Sequence, residues 1–98
     1  MIFLTTIKTK KVEKGLNAKG FKLDVKHDHK IFRFYIGEEK TRVYTKISHG
    51  EVEIGDRLIG LMARELGINK EQFIKLIDCG LSYSEYIKIL IDDNVFKQ

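Results

Sequence analysis

Three histidines are the side chains of this chain best suited to acid–base chemistry near neutral pH. His27 and His29 flank Asp28, and His49 lies further along the chain. His29 opens a segment of alternating side chains, so it is predicted to begin a strand. An imidazole there has the chemistry to take a proton from a ribose 2′-hydroxyl, the first step of metal-independent RNA cleavage. From the residues alone, His29 is either a candidate catalytic base or an exposed strand-end histidine with no role.

Cationic and aromatic side chains accompany His29 in the sequence. RNA cleavage needs cations beside the phosphate, and RNA binding also uses aromatic rings that stack on bases. The candidate nucleic-acid-binding residues are Lys26, Lys30, Arg33, Tyr35, Arg42, Tyr44, Lys46 and His49. The alternative is an ordinary exposed sheet face, on which Tyr and Arg are common.

The spacing of His27 and His29 would also suit a metal ion, because residues two apart on a strand point to the same side. His49 would be a third ligand, and the sequence offers no evident fourth. The chain also has no Gly-rich phosphate loop and no cysteine cluster. We therefore predict neither a metal site nor another cofactor, and keep the three-histidine site as a minor alternative.

An antiparallel sheet of three strands is predicted to position these side chains. Apolar and charged residues alternate strictly over 21–26, which is typical of a half-buried strand. A second strand is predicted over 29–36 and a third over 40–47, with a tight turn at 37–39 between them.

Such a sheet needs cover on one face only, and we expect helices to cover the face of Phe32 and Phe34. The same face is predicted to carry Ile36, Val43, Thr45 and Ile47, and the opposite face His29, Ile31, Arg33, Tyr35, Arg42, Tyr44 and Lys46.

Amphipathic helices are predicted before and after the three strands in the chain. The first would begin at Thr9 as its N-cap and end at Gly20. Its apolar stripe would include Ile7, Val12, Leu16 and Phe3. A second stripe includes Leu58, Ile59, Leu61, Met62 and Leu66, followed by Gly67 as a C-terminal cap. Capping-box patterns over 69–72 and 82–85 predict two further short helices.

These elements predict an α+β fold of order α-β-β-β-α with short C-terminal helices added. We expect a single domain over 1–98, with a core over 8–77 and a helical extension over 78–98. The apolar run near Met1 lacks the features of a signal peptide or a membrane span, so we expect a cytoplasmic protein without a membrane partner. The conformation of residues 1–6 stays open.

The net positive charge comes from the first half of the chain. Residues 1–54 carry twelve basic and seven acidic side chains, and residues 55–98 carry six and seven, which gives a net charge of +4. A one-sided basic field attracts polyanions such as RNA, although a solvated lysine-rich surface would have the same composition. The single cysteine, Cys79, excludes an internal disulfide and is predicted to pack at the end of an apolar helical stretch.

The order of several short motifs resembles HicA, the toxin of HicA–HicB toxin–antitoxin pairs. The matching motifs are Gly20-Phe21, Asp28 to Phe32, Thr45 to His49, and Gly55 leading into an amphipathic helix. The resemblance covers residues 8–77 and is closest to a longer branch of the family that ends in an extra Ser-x-x-Glu-Tyr helix, as Ser82 to Tyr86 does here.

The resemblance implies a double-stranded-RNA-binding-like fold and a ribonuclease that cleaves messenger RNA without a metal. The single catalytic histidine of the family maps onto His29, and the family's partner is a HicB-type antitoxin that covers the active site. Two departures bear on activity: Lys26-His27-Asp28 replaces the family's Gly-Ser before the histidine, and Ile47-Ser48 replaces the Pro that often precedes the second histidine. A binding module without cleavage is therefore the alternative function.

A third hypothesis is a protein-interaction element. The apolar side chains of the last predicted helix would then form a homo-oligomer; they are Tyr86, Ile87, Leu90, Ile91 and Phe96. If these side chains pack on the domain itself, they are not available to form an interface and the hypothesis fails.

Overall fold

Alternating segments in the middle of the chain form strands, and amphipathic segments on either side form helices. The computed structural model describes residues 6–93. In chain order the elements are β1 (Ile7–Lys8), α1 (Thr9–Ala18), β2 (Phe21–Val25), β3 (His29–Ile36), β4 (Glu39–Ser48), β5 (Glu53–Ile54), α2 (Asp56–Glu65), α3 (Lys70–Ile77) and α4 (Tyr83–Asp92). The α+β class and the order of the predicted strands and helices are confirmed.

Strands β2, β3 and β4 form an antiparallel meander with β3 in the middle. Phe21 pairs with Phe34, Leu23 pairs with Phe32, and Thr45 lies opposite Phe32 on the other side. Residues directly opposite each other in an antiparallel pair share a face. Phe32, Phe34 and Thr45 are fully buried, so the helices cover this face, as predicted.

Strand β4 is irregular beside the middle of β3. Arg33 pairs with Tyr44, whereas Tyr35 pairs with Lys40, so the register shifts between the two pairs. The hydroxyl of Thr41 donates a 2.7 Å hydrogen bond to a main-chain carbonyl of β3 within this segment. The shift amounts to two residues, and side chains alternate with a period of two, so the two faces of the sheet are not exchanged.

One hydrophobic core joins the covered face to the helices, including α4. Tyr86 and Leu90 of α4 are fully buried in the same cluster as Phe32. The Tyr86 hydroxyl donates a 2.7 Å hydrogen bond to the carbonyl oxygen of Leu66, and burial raises the pKa of this phenol. The described part of the C-terminal extension is therefore part of the core and not an appended segment.

Helices α1 and α3 approach each other at Gly15. A Cβ atom built on Gly15 would lie 2.9 Å from both the Cα atom and the carbonyl oxygen of Ile77. Glycine lowers helix propensity, and its position in α1 is explained by this close approach of two backbones.

The two capping boxes are confirmed. The Asn69 side chain accepts from the N–H of Gln72 at 2.7 Å, and the Gln72 side chain accepts from the N–H of Asn69 at 2.9 Å. Ser82 and Glu85 repeat the arrangement at the start of α4, where hydrogen bonds from the Ser82 backbone and hydroxyl lower the pKa of Glu85. Gly67, with φ of +77°, follows the end of α2 as predicted.

Other local predictions are wrong. The N-cap of α1 is Lys8 and not Thr9, because β1 pairs with β5, Ile7 opposite Ile54, and holds this segment extended until the helix begins. Ile7 is therefore a strand residue and not part of the helical stripe. Cys79 is exposed and not packed; it lies beyond the end of α3, and its φ of +70° is outside the helical range.

The apolar stripes of α2 and α4 are wider than the surfaces they bury. Leu61 is 50% exposed and Ile91 is 58% exposed, whereas Ile59 and Met62 are fully buried. Phe3 and Phe96, which were assigned to predicted helices, lie outside the described residues. Among the helices that the structure describes, none combines the length and the apolar content needed to cross a membrane.

Candidate nucleic-acid interface

The face of the sheet opposite the helices carries most of the predicted binding residues, and we call it the open face. The cross-strand register and the β2–β3 hairpin place on it Lys22, Asp24, Lys26, His29, Ile31, Arg33, Tyr35, Lys40, Tyr44, Lys46 and Ser48. Within this set Asp24 is the one acidic residue, and its carboxylate lies 3.2 Å from Nζ of Lys26. The open face is therefore positively charged and carries two phenol rings.

Arg33 and Tyr44 form a cation–π pair directly across β3 and β4. The guanidinium carbon of Arg33 lies 4.8 Å from the ring centroid of Tyr44. Nη1 of Arg33 also donates a 3.1 Å hydrogen bond to the carbonyl oxygen of Thr41, in the irregular segment of β4. The irregularity thus orients the guanidinium, while Tyr44 stays 38% exposed. A ring held in this way can stack with a base and keep a cation close to it.

A second cation–π pair joins β2 and β3. Nζ of Lys22 lies 4.4 Å from the ring centroid of Tyr35. Lys22 was not among the predicted residues, and neither was Lys40, which lies opposite Tyr35 on β4. The period of two in β2 could have identified Lys22, since the charged residues of 21–26 must share the face opposite Phe21. The position of Lys40 opposite Tyr35 depends on the shifted register, which the sequence does not reveal.

His29 lies at the end of the open face next to the turn between β2 and β3. The N–H of Lys26 donates a 2.8 Å hydrogen bond to the carbonyl oxygen of His29, and Ser48 pairs with His29 on β4. Lys46 lies one pair further along the same face, opposite Ile31. His29 itself is partly exposed. The structure therefore brings a histidine and two lysines to one end of the face.

His49 connects the end of β4 to the β2–β3 turn. Its Nε2 atom lies 3.0 Å from the carbonyl oxygen of Lys26. A carbonyl oxygen only accepts, so Nε2 carries the hydrogen and donates it. The bond holds the turn that precedes His29.

The histidines do not form a metal-ligand group. The side chain of His27 is 98% exposed, and its Nδ1 lies 2.9 Å from a carboxylate oxygen of Asp28. His49 is engaged with the Lys26 carbonyl. Over residues 6–93, no group of three or more His, Cys, Asp or Glu side chains is arranged to hold a metal ion.

Two predicted binding residues, Lys30 and Arg42, are not among those that the cross-strand register places on the open face. Lys30 pairs with Val25 and Ile47 on the covered side of the sheet, and its ammonium group forms an ion pair with Glu13 of α1. Lys30 therefore attaches α1 to the sheet. Arg42 is exposed, but it lies in the irregular segment of β4 and has no Cα partner on β3.

Comparison with known proteins identified no relative of this chain. No protein-family model matches the chain, and neither a curated protein nor a solved structure is significantly similar to it. The functional inference therefore depends on the charge, rings and geometry of the open face and on the position of His29.

Proposed function

We propose that this protein binds RNA through the open face and cleaves it as a HicA-like messenger-RNA interferase with His29 as the base. The observation that carries the proposal is the pairing of cations and rings on an exposed β face. Lys22 lies over Tyr35, and Arg33 lies over Tyr44. Lysine and arginine attract phosphates, and the tyrosines offer rings for stacking.

Single-stranded RNA is the proposed substrate. A β face with rings reads bases that are splayed out, whereas the stacked bases of an A-form duplex are not available to such rings. The RNA strand would run across the open face from the Tyr44 end towards His29, with Lys46 and Lys26 beside its phosphates.

The proposed fold relationship is the double-stranded-RNA-binding-like one. Helix α1 precedes the β2-β3-β4 meander, and the later helices close the face that α1 also covers. This order agrees with the resemblance to HicA in the sequence. A HicB-like antitoxin is the proposed protein partner, and it would cover the His29 end of the open face.

The proposed cleavage needs no cofactor. The unprotonated imidazole of His29 takes the proton of a 2′-hydroxyl, and the 2′-oxygen then attacks the adjacent phosphorus. The bond from phosphorus to the 5′-oxygen breaks, that oxygen takes a proton from water, and the His29 imidazolium returns its proton to the solvent. The products are a 2′,3′-cyclic phosphate and a 5′-hydroxyl end. Lys26 and Lys46 are placed to stabilise the negative charge on the phosphate.

The second candidate is an RNA-binding module of the same fold without cleavage. The segment before His29 favours it, because Lys26-His27-Asp28 stands where the HicA pattern has Gly-Ser. In addition, Asp24 already forms an ion pair with Lys26, which reduces the charge available to a phosphate next to His29.

Cleavage is tested by incubating the protein with mixed single-stranded RNA in excess chelator. We expect cleavage by the wild type and none by His29→Ala. His27→Ala is the matched control, since His27 is a fully exposed histidine two residues away, and it should cut like the wild type. Equal cleavage by His29→Ala would refute the catalytic assignment. Binding without cleavage by every variant would favour the second candidate.

Binding itself is tested by the salt dependence of affinity. We expect Arg33→Ala to weaken binding to single-stranded RNA by roughly 10-fold, and the affinity of the wild type to fall as salt rises. Arg57→Ala is the matched control because it removes an exposed arginine from α2, away from the sheet. If both arginine variants lose affinity equally, the open face is not the binding site.

A further inference from the structure

Strand β2 is an edge of the sheet. The main-chain N–H and C=O groups of every second residue of β2 point away from β3. The N–H of Tyr35 donates to the carbonyl oxygen of Gly20, and the N–H of Lys26 donates to that of His29. Even-numbered residues of β2 therefore direct their N–H and C=O groups to β3. Those of Phe21, Leu23 and Val25 point away from β3, and no strand pairs with them among the described residues.

The same edge exposes apolar side chains. Phe21 is only 2% exposed, but Leu23 is 45% exposed and Val25 is 61% exposed, although all three lie on the covered side of the sheet. The helices therefore cover the side chain of Phe21 and leave those of Leu23 and Val25 largely exposed. An edge strand that combines free main-chain groups with exposed apolar side chains is suited to pairing with another strand.

The charges of β2 are complementary to a second copy of themselves. In antiparallel pairing with Leu23 opposite Leu23 of a second copy, Lys22 lies opposite Asp24 of that copy, and Asp24 lies opposite its Lys22. Phe21 then lies opposite Val25. This register uses the whole of β2, Phe21–Val25, and it pairs the residues whose main-chain groups face outward.

Other registers are less favourable. A shift of two residues places Asp24 opposite Asp24 and Lys22 opposite Lys26, which are like charges at close range. A shift of four residues centres the pairing on Val25 and needs residues 26–28, beyond the end of β2. A shift of an odd number of residues would place charged side chains on the apolar side.

We infer that β2 is a self-association surface, on which a second copy of this chain pairs antiparallel with Leu23 at the two-fold axis. The two three-stranded sheets would become one antiparallel sheet, and the two open faces would lie side by side. The inference does not depend on RNA binding or cleavage. A short strand pair buries little area, so we expect a weak dimer whose population rises with protein concentration.

The first test is sedimentation equilibrium of the full chain without RNA, from ~10 μM to ~1 mM, where a complex with a micromolar to millimolar Kd is populated. We expect a concentration-dependent monomer–dimer equilibrium. A protein that stays monomeric at the highest concentration overturns the inference.

The decisive test exchanges the charges. Lys22→Asp and Asp24→Lys alone should each raise Kd by roughly 10-fold or more, because each replaces two attractive cross-strand pairs with two repulsive ones. The double variant Lys22→Asp/Asp24→Lys should restore the wild-type Kd. Failure of the double variant to recover dimerisation refutes the Leu23-centred register, since the shifted registers predict no rescue.

A control separates this surface from other exposed apolar side chains. Leu23→Lys should abolish dimerisation, and Leu61→Lys, which alters a comparably exposed leucine on α2, should leave it unchanged. If Leu61→Lys or Ile91→Lys abolishes association and Leu23→Lys does not, a helix surface is responsible and the inference is wrong. Thermal unfolding of each variant verifies that it remains folded.

Discussion

The two faces of the central sheet differ in almost every physical property, although they are made by neighbouring residues. Phe32 and Phe34 are fully buried beneath the helices, whereas Arg33 and Tyr35 between and beside them face solvent at least in part. The covered face is held by ring–ring and aliphatic contacts. The open face is organised by cation–π pairs and by a side-chain bond to an irregular strand. Stability and the proposed binding function are therefore expected to respond to different substitutions.

The largest expected effect is at the centre of the covered face. The Phe34 ring lies 4.8 Å from that of Tyr86 and 5.0 Å from that of Phe21, centroid to centroid. Phe34→Ala would leave a cavity between β2, β3 and α4 and should lower the free energy of unfolding by about 3–5 kcal/mol. Tyr35→Ala, one residue away on the open face, is the matched control. A similar loss in both variants, measured by urea denaturation, would break the contrast between the faces.

A smaller loss is expected where two helices of the covering layer meet. Gly15→Ala places a methyl group against the backbone of Ile77, and the helices must separate to accept it. We expect destabilisation of about 1–3 kcal/mol. Gly60→Ala in α2 is the matched control. Its new methyl group would meet only the end of the Lys70 side chain at 3.5 Å, so the stability of the protein should be unchanged or slightly increased. Equal Tm values for the two variants would contradict the close approach.

The buried phenol of α4 should contribute about 1–2 kcal/mol through its hydrogen bond. Tyr86→Phe keeps the ring in the core and leaves the Leu66 carbonyl oxygen without its 2.7 Å donor. Tyr83→Phe removes a hydroxyl whose contacts are longer, 3.3 Å to the N–H of Gly37 and 3.4 Å to the carbonyl oxygen of Tyr35. Chemical denaturation should therefore show a smaller loss for Tyr83→Phe than for Tyr86→Phe; the reverse order would mean that α4 is not anchored by Tyr86.

The smallest effect on stability is expected on the open face. Lys46→Ala removes an exposed side chain and should change the free energy of unfolding by no more than ~0.5 kcal/mol. In the proposed function the same change weakens RNA binding and reduces its dependence on salt. A destabilised Lys46→Ala protein would show that the open face also supports the fold.

Local patterns in the sequence were sufficient for much of the fold. Alternation over 21–47 gives the strands and their faces because a strand repeats every two residues. Asn69 and Ser82 begin helices because their side chains accept the N–H of the third helical residue, a bond formed within one turn. Gly67 ends α2 because its φ is positive.

Residues whose environment depends on distant contacts were predicted less well. Thr9 looks like an N-cap, but the pairing of β1 with β5 across more than forty residues makes Lys8 the N-cap and Thr9 the first helical residue of α1. Cys79 looks like a core residue, but it lies just beyond the end of α3 and is exposed. Lys30 was grouped with the binding residues, although the period of two places it on the face of Phe32. Its role there depends on a distant contact, the ion pair with Glu13 of α1.

The sequence by itself determined which residues form strands and helices, which face of the sheet is apolar, and that His29 begins the middle strand. These features depend on periodicity and on contacts within a few residues. Only the tertiary structure decided that Lys40 lies opposite Tyr35, how Arg33 is held over Tyr44, and that β2 is left as a partly uncovered edge. Those features depend on register and on how far each helix reaches over the sheet, and both are set by contacts between residues far apart in the chain.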